Sequence, residues 1–234
     1  MKQWMCAAAL AAVSFAVPAA TVFSTDFDGA LPSEISPGAA ELTGVQYFAG
    51  LGPTGNQFGG SFLRSPTGNL VTLTLTNLPT HTDISLAFLL AAIDSLDGTG
   101  TFPQGDFLTI TLDGQTIFRE SFANATPDQV QSYVPPPGGE LARRVDLGFS
   151  GPGSYYTDSA YNMGVEPRLQ NLAHTASTAV FTFQIEGPGI QPLDDESWAM
   201  DRLAVSVSAV PEPSVVWLML AGLLGPALAW RRRR

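Results

Sequence analysis

Residues 107–122 read FLTITLDGQTIFRESF and consist of two runs joined by Asp113 and Gly114. In residues 107–112, large apolar side chains alternate with threonine, which is typical of a β-strand with one buried face. An Asp-Gly pair between two such runs favours a type I′ turn, because that turn needs a positive φ at both central residues. The stretch therefore predicts an antiparallel β-hairpin.

The same period of two extends outward from this hairpin. Residues 70–77 (LVTLTLTN) alternate in the same way and predict a strand. Residues 84–93 (ISLAFLLAAI) are continuously apolar and fit a helix or a buried central strand; Pro79 and the turn at residues 94–98 bound them at strand length and favour the strand. Further predicted strands are residues 22–27, 46–48, 62–63, 145–149, 179–186 and 198–208.

Many short strands without helical periodicity predict an all-β fold, an antiparallel β-sandwich and specifically a jelly roll, over residues 21–209. Residues 124–163 contain a Pro-Pro-Pro-Gly-Gly run and are predicted to form loops across the sandwich. Tyr155, Tyr156 and Tyr161 in this stretch are candidates for ligand binding by stacking on sugar rings, or they cover the edge of the core.

The C-terminal residues 210–234 have the order of a sorting segment. Val210, Pro211, Glu212, Pro213 and Ser214 are followed by 16 uncharged residues and four arginines. Proline stops a helix at this point, so a cleavable linker is expected before a transmembrane helix at residues 215–230, about 24 Å long. Clustered cations hold their end of a span in the cytoplasm, and the predicted cytoplasmic anchor is Arg231, Arg232, Arg233 and Arg234. An ordinary membrane anchor is the alternative.

The N-terminus predicts a secretory signal peptide at residues 1–20. Lys2 precedes an apolar stretch at residues 5–17, and small residues follow, with cleavage expected after Ala19 or Ala20. Export would then require the secretory translocon and signal peptidase. Cys6 is the single cysteine of the chain, so the processed protein would have no thiol.

Residues 20–210 are strongly acidic. They keep 6 of the 11 basic and 20 of the 21 acidic residues, which gives a formal net charge of −14. Such a surface repels nucleic acid and anionic lipid. It suits the cell exterior, where acidic clusters hold divalent cations, although charge that only maintains solubility is the alternative.

Two acidic groups are candidate metal sites. If the first and last strands of the jelly roll are neighbours, Asp26 and Asp28 approach Asp201, and oxygen-only ligands favour a structural Ca²⁺. A competing site consists of a second set of carboxylates, namely Asp94, Asp97, Asp195 and Glu196. Capping of turns and loop N–H groups is the alternative for both groups.

The sequence predicts no catalytic residues and no enzyme. Asp195 and Glu196 are adjacent and would face opposite ways on a strand, whereas paired glycosidase carboxylates share one cleft. His81 and His174 each precede a threonine and are interpreted as structural residues able to pair across the sheet. The alternative is a secreted carbohydrate-active enzyme, a hydrolase or a lyase, on a jelly roll.

The segment at residues 210–234 resembles the PEP-CTERM sorting signal of Gram-negative bacteria. This resemblance implies an exosortase, a membrane-embedded cysteine transpeptidase, as a partner that removes the tail and releases or re-attaches the body. It also implies a precursor anchored in the inner membrane and a final place in the cell envelope or the exopolysaccharide matrix, with extracellular polysaccharide as a candidate ligand.

The body resembles a jelly roll that recurs in bacterial secreted proteins and carbohydrate-binding modules. The resemblance rests on four segments, which are residues 23–32, 81–98, 105–118 and 194–207. It implies a glycan-binding or structural role, and related modules often carry Ca²⁺ at the junction of the first and last strands.

Overall fold

A computed structural model describes residues 19–99, 105–149, 151 and 157–209. These residues form β-strands and three short 3-10 helices, and no helix among them is long and apolar enough to cross a membrane. The body is an all-β, antiparallel sandwich, as predicted. The predicted transmembrane helix at residues 215–230, the sorting residues 210–214 and the arginines 231–234 lie outside the described residues, as do residues 1–18 of the predicted signal peptide.

Thirteen strands occur in the described part of the chain. In chain order they are β1 (Ala19–Thr25), β2 (Ile35–Ser36), β3 (Glu41–Gly44), β4 (Ser61–Pro66), β5 (Val71–Leu75), β6 (His81–Asp94), β7 (Phe107–Leu112), β8 (Gln115–Ser121), β9 (Glu140–Val145), β10 (Asp158–Asn162), β11 (Leu172–Ala173), β12 (Ala179–Glu186) and β13 (Glu196–Ala209). The 3-10 helices are Gln46–Phe48, Met163–Val165 and Pro167–Leu169.

The strands form two sheets with the order of a jelly roll. The larger sheet runs β3-β4-β13-β6-β10-β9, with β1 also paired to β13 and β11 to β6, and the smaller sheet runs β2-β5-β12-β7-β8. Within them, the sets β4-β13-β6-β10 and β5-β12-β7-β8 face each other and are connected across the sandwich. This arrangement gives the two four-stranded sheets of a jelly roll.

The hairpin predicted from residues 107–122 is present. Strands β7 and β8 pair with Leu112 opposite Gln115, and the two residues between them have φ values of 49° (Asp113) and 79° (Gly114). Positive φ at both positions is the signature of a type I′ turn. The predicted turn type is therefore confirmed.

The continuous apolar run of β6 is explained by burial on both faces. Phe88, Leu90 and Ala92 pack into the main core between the sheets. Leu89, Ala91 and Ile93 point to the other face and join a second apolar cluster, which is closed by four phenylalanine rings, Phe48, Phe58, Phe62 and Phe149. Because both faces of this strand are buried, apolar and polar side chains do not alternate along it.

Three sequence predictions of local structure are wrong. Residues 46–48 form a 3-10 helix and not a strand, because Gln46 has a φ of 50° and Phe48 turns into the second cluster. Residues 146–149 lie beyond the end of β9 and form no strand. Residues 124–163 are not only loops, since they contain β9 and β10, both in the larger sheet.

The first and last strands are neighbours, as the jelly-roll prediction requires. Ala19 lies opposite Ser208 and Thr25 lies opposite Leu203, with one irregularity in register between them. Both ends of the body therefore meet at the same end of the sandwich. We call it the terminal end, and the end where β13 begins at Glu196 the opposite end.

Candidate functional site

Three acidic residues from separate parts of the chain meet at the opposite end of the sandwich. Asp97 follows β6, Asp106 directly precedes β7, and Glu196 is the first residue of β13. One ligand oxygen from each lies within 4.8 Å of the other two, and among the described residues no other group of three such side chains is gathered in this way. We call these three residues the acidic triad.

The acidic triad is buried, with 9 %, 1 % and 0 % of Asp97, Asp106 and Glu196 exposed. Each carboxylate is partly satisfied: Asp106 Oδ2 accepts a short hydrogen bond from the Asp97 backbone N–H, and Glu196 Oε1 accepts one of 2.9 Å from the Gln191 side chain. Asp97 Oδ1 accepts a short hydrogen bond from the Gln129 amide. Asp106 Oδ1 and Glu196 Oε2 have no hydrogen-bond partner among the described residues.

Burial and mutual repulsion shift these carboxyls toward the neutral form. Burial raises the pKa of Glu196 to about 8, and the charge of Asp106 contributes to this rise. Burial likewise raises the pKa of Asp106 to about 6, against hydrogen bonds that lower it. Burial also raises the pKa of Asp97. At neutral pH the group therefore favours taking up positive charge, as a proton or as a cation.

A second buried carboxyl pair lies close by and already has a cation. Asp158 accepts hydrogen bonds from the backbone N–H groups of Asp94 (3.1 Å) and Leu147 (2.7 Å). Arg64 lies 3.8 Å from Asp94 Oδ2 and donates to Ser197 Oγ at 2.9 Å. Burial raises the pKa of Asp94 to about 7, and the charge of Asp158 adds to this effect.

The structure changes the membership of the two predicted metal groups. Of the set Asp94, Asp97, Asp195 and Glu196, it brings Asp97 and Glu196 together and adds Asp106, which the sequence-based prediction missed. Asp94 belongs to the Arg64 pair, and Asp195 Oδ1 accepts a hydrogen bond from Ser95 at 3.0 Å. The sequence signal for Asp106 is its position directly before a predicted strand and after a stretch with three glycines, Gly98, Gly100 and Gly105.

The other predicted metal group, Asp26, Asp28 and Asp201, does not form one ligand set in the described structure. Asp26 lies 3.7 Å from the Arg202 guanidinium, and Asp28 accepts a hydrogen bond from the Ser61 N–H at 2.7 Å. Asp201 is fully buried and accepts hydrogen bonds from the N–H groups of Gly59 and Arg202. Burial raises the pKa of Asp201 to about 6. These contacts with backbone N–H groups and a guanidinium are those expected from the alternative, the capping of loops, and the Ca²⁺ site at these three residues stays a prediction.

The tyrosines predicted to bind sugar divide into two sets. Tyr155 and Tyr156 lie outside the described residues. Tyr161 is fully buried and packs against Phe122 and Tyr133, with ring centroids 5.1 Å and 5.4 Å away. Its ring has no face free for a ligand, so the prediction for Tyr161 is wrong and the alternative, a core residue, is right.

An exposed aromatic side chain and a polar depression are present elsewhere. Tyr47 is 72 % exposed, although its backbone N–H is fixed to Leu147 O at 3.0 Å. A shallow depression of about 330 Å³ lies beside the Asp26–Arg202 ion pair and is lined by Ser24, Asn56 and other small or polar residues. The short segment around Tyr47 was predicted as a strand, and this hid its exposure.

Comparison with known families decides the nature of the C-terminal segment. The model of the PEP-CTERM protein-sorting motif matches residues 209–234. The chain carries a PEP-CTERM sorting motif. It is therefore an exported protein that is anchored in the membrane and then processed, with exosortase as the processing partner. The motif begins at Ala209, the last residue of β13, so it follows the sandwich without an intervening linker.

The body resembles solved structures at low sequence identity. No curated protein matches the sequence. Solved structures similar to it include the catalytic domain of a GH87 α-1,3-glucanase in complex with nigerose, at 14 % identity and a TM-score of 0.34, covering 82 % of this chain and 28 % of that chain. A GH115 4-O-methyl-α-glucuronidase with specificity for decorated arabinogalactans matches at 12 % identity and a TM-score of 0.34, covering 83 % of this chain and 19 % of that one. The chain thus spans less than a third of either protein, and such likenesses support no assignment of activity.

Proposed function

We propose that this chain is a non-enzymatic secreted or surface-sorted protein, processed by exosortase in a Gram-negative bacterium, that binds glycan or acts as a structural component in the cell envelope or exopolysaccharide matrix. The observation that supports this proposal most strongly is the sorting motif directly after β13. Because no folded segment lies between them, the sandwich is the cargo that adjoins the motif.

The path of the chain supports this role. Ala19 and Ser208 are paired, so both ends of the described body lie at the terminal end. Strand β13 has 14 residues, which places Glu196 about 40 Å from Ala209. Before processing, the membrane anchor would be attached at the terminal end of the sandwich. The acidic triad would then lie at the opposite end, away from the membrane.

Burial of the acidic residues favours binding or structure over catalysis. A glycosidase presents two carboxyl groups to a cleft that admits a sugar and a water molecule. Here the carboxyls with the most strongly raised pKa values are each at most 2 % exposed. Tyr47 instead offers an exposed ring, the kind of surface on which a sugar stacks.

Sorting is tested by replacing Pro211, Glu212 and Pro213 with alanine in the native host. We expect the altered protein to accumulate in the membrane fraction while the wild type is processed and leaves it. A host that lacks exosortase should retain the wild type in the same way. Release of the altered protein at the wild-type level would contradict the proposal.

The role of the body is tested with the exported protein on a glycan array, beside a reducing-sugar assay on mixed polysaccharides. Binding that weakens in Tyr47→Ala but not in Val134→Ala, an exposed apolar control at 82 %, would support glycan binding through Tyr47. If the wild-type protein binds no glycan on the array, the structural role is favoured. Release of reducing sugar would overturn the non-enzymatic assignment.

A further inference from the structure

We propose that Asp97, Asp106 and Glu196 bind a divalent cation, Ca²⁺, that ties together the ends of β6, β7 and β13. The inference rests on the acidic triad alone and is independent of the sorting motif. Strands β6 and β13 belong to the larger sheet and β7 to the smaller one, so an ion here would join the two sheets of the sandwich.

The spacing of the oxygens fits one ion. Ca²⁺ binds oxygens at 2.3–2.6 Å, so two ligands on opposite sides of the ion are about 4.8 Å apart and neighbouring ligands are closer. The three oxygens of the acidic triad all lie within 4.8 Å of one another. The spacing of the three oxygens is therefore compatible with one shared ion.

Two free oxygens point to a ligand independently of the clustering. Asp106 and Glu196 are 1 % and 0 % exposed, and each keeps one carboxylate oxygen without a hydrogen-bond partner among the described residues. A buried oxygen without a partner costs about 1–3 kcal/mol, and more if charged. Such atoms are rare in folded proteins unless a water molecule or an ion satisfies them.

No basic side chain supplies the missing charge. Among the described residues, none lies within salt-bridge distance of Asp97, Asp106 or Glu196, whereas Arg64 lies beside Asp94. The internal segments outside the described residues, 100–104, 150 and 152–156, contain no Lys, Arg or His. Three carboxylates thus share a buried space without a cationic partner among the described residues.

The chemistry of the ligands selects the ion. All three side chains offer hard oxygen ligands, and both histidines take part in a pair with Asp113 at the other end of the sandwich, so Zn²⁺ is disfavoured. Mg²⁺ keeps several waters in a strict octahedron, which a group this buried does not accommodate. Ca²⁺ accepts carboxylates, backbone carbonyls and irregular geometry.

The alternative to Ca²⁺ at this site is a proton shared between Asp106 and Glu196. Binding of Ca²⁺ and binding of a proton can be distinguished by experiment. The probe is Tb³⁺, a Ca²⁺ surrogate, added to the exported full chain at pH 7.5. Trp198 lies two residues from Glu196, about 7 Å along the strand, and can sensitise Tb³⁺ luminescence. We expect luminescence that Ca²⁺ displaces and that Glu196→Gln and Asp106→Asn abolish, while Asp201→Asn keeps it.

Thermal unfolding of the same proteins gives the second readout. At a hundredfold excess of Ca²⁺ over its dissociation constant, wild type and Asp201→Asn should melt about 5–10 °C higher than in chelator. Glu196→Gln should lose this response and, in chelator, melt above chelated wild type, because one repelling charge is gone. If Ca²⁺ does not change the melting temperature of the wild type, or if it still raises that of Glu196→Gln, the acidic triad holds a proton and the proposal is wrong.

Discussion

His81 Nε2 lies 2.7 Å from His174 Nδ1, and the chain of hydrogen bonds continues in both directions. His81 Nδ1 contacts Pro79 O at 2.6 Å, and His174 Nε2 contacts Asp113 Oδ2 at 3.1 Å. Through these three contacts the histidine pair and Asp113 link β6 to the β7–β8 turn of the other sheet.

This linkage predicts strong coupling between the two histidines. His81→Ala and His174→Ala should each destabilise the protein, because the remaining ring is left buried without its partner. The double variant should cost less than the sum of the single variants by about 0.5–3 kcal/mol, measured by denaturant unfolding. Additive costs would show that the two rings do not act as a unit.

The type I′ turn predicts a cost that comes from backbone conformation alone. Gly114 has a φ of 79°, and no atom lies within 4 Å of the place where a Cβ would stand, so Gly114→Val meets no clash but a strained conformation. We expect a loss of about 1–2 kcal/mol in the free energy of unfolding. Gly29→Val is the control, since Gly29 has equal space and no positive φ. Equal effects at the two glycines would contradict the turn assignment.

The Asp94 pair predicts a pH dependence of stability. Burial raises the pKa of Asp94 to about 7, so the folded state binds this proton more tightly than the unfolded state does. The resulting stability is present below the unfolded pKa, about 4, and is lost as pH rises through about 7. Asp94→Asn, which cannot ionise, should therefore gain stability relative to wild type between pH 5 and pH 8.

Denaturant unfolding at pH 5 and at pH 8 measures this difference. The exposed Glu34→Gln serves as the matched control and should track the wild type at both values. A difference between Asp94→Asn and wild type that stays constant, or that shrinks as pH rises, would mean that Arg64 keeps Asp94 ionised throughout.

The sequence predicts local structure well where a few neighbouring residues determine it. The Asp113-Gly114 turn needs only its two residues, and the alternation of residues 179–186 matches β12 at both ends. Strand β9 was missed because Glu140–Val145 is mostly half-buried and carries bulges, with Arg144 at a φ of 50°, so no regular alternation is left in its sequence.

The acidic triad shows why the site was harder to predict than the fold. Asp97, Asp106 and Glu196 meet only because β6 and β13 are central in one sheet and β7 begins at the same end in the other. That meeting depends on strand order, which no local pattern encodes. The prediction of a site at Asp26, Asp28 and Asp201 was based on β1 and β13 being neighbours, which is correct. It did not take account of Arg202, whose guanidinium lies beside Asp26.

The central claim, that this sandwich is the cargo of a sorting motif, is tested most directly by the intact mass of the protein recovered from outside the cytoplasm of its native host. We predict a mass that lacks the residues C-terminal to about Pro213, because exosortase processing removes the tail at the motif matched over residues 209–234. A mass that retains the whole tail, with Arg234 still present, would contradict the account and leave the segment an ordinary anchor.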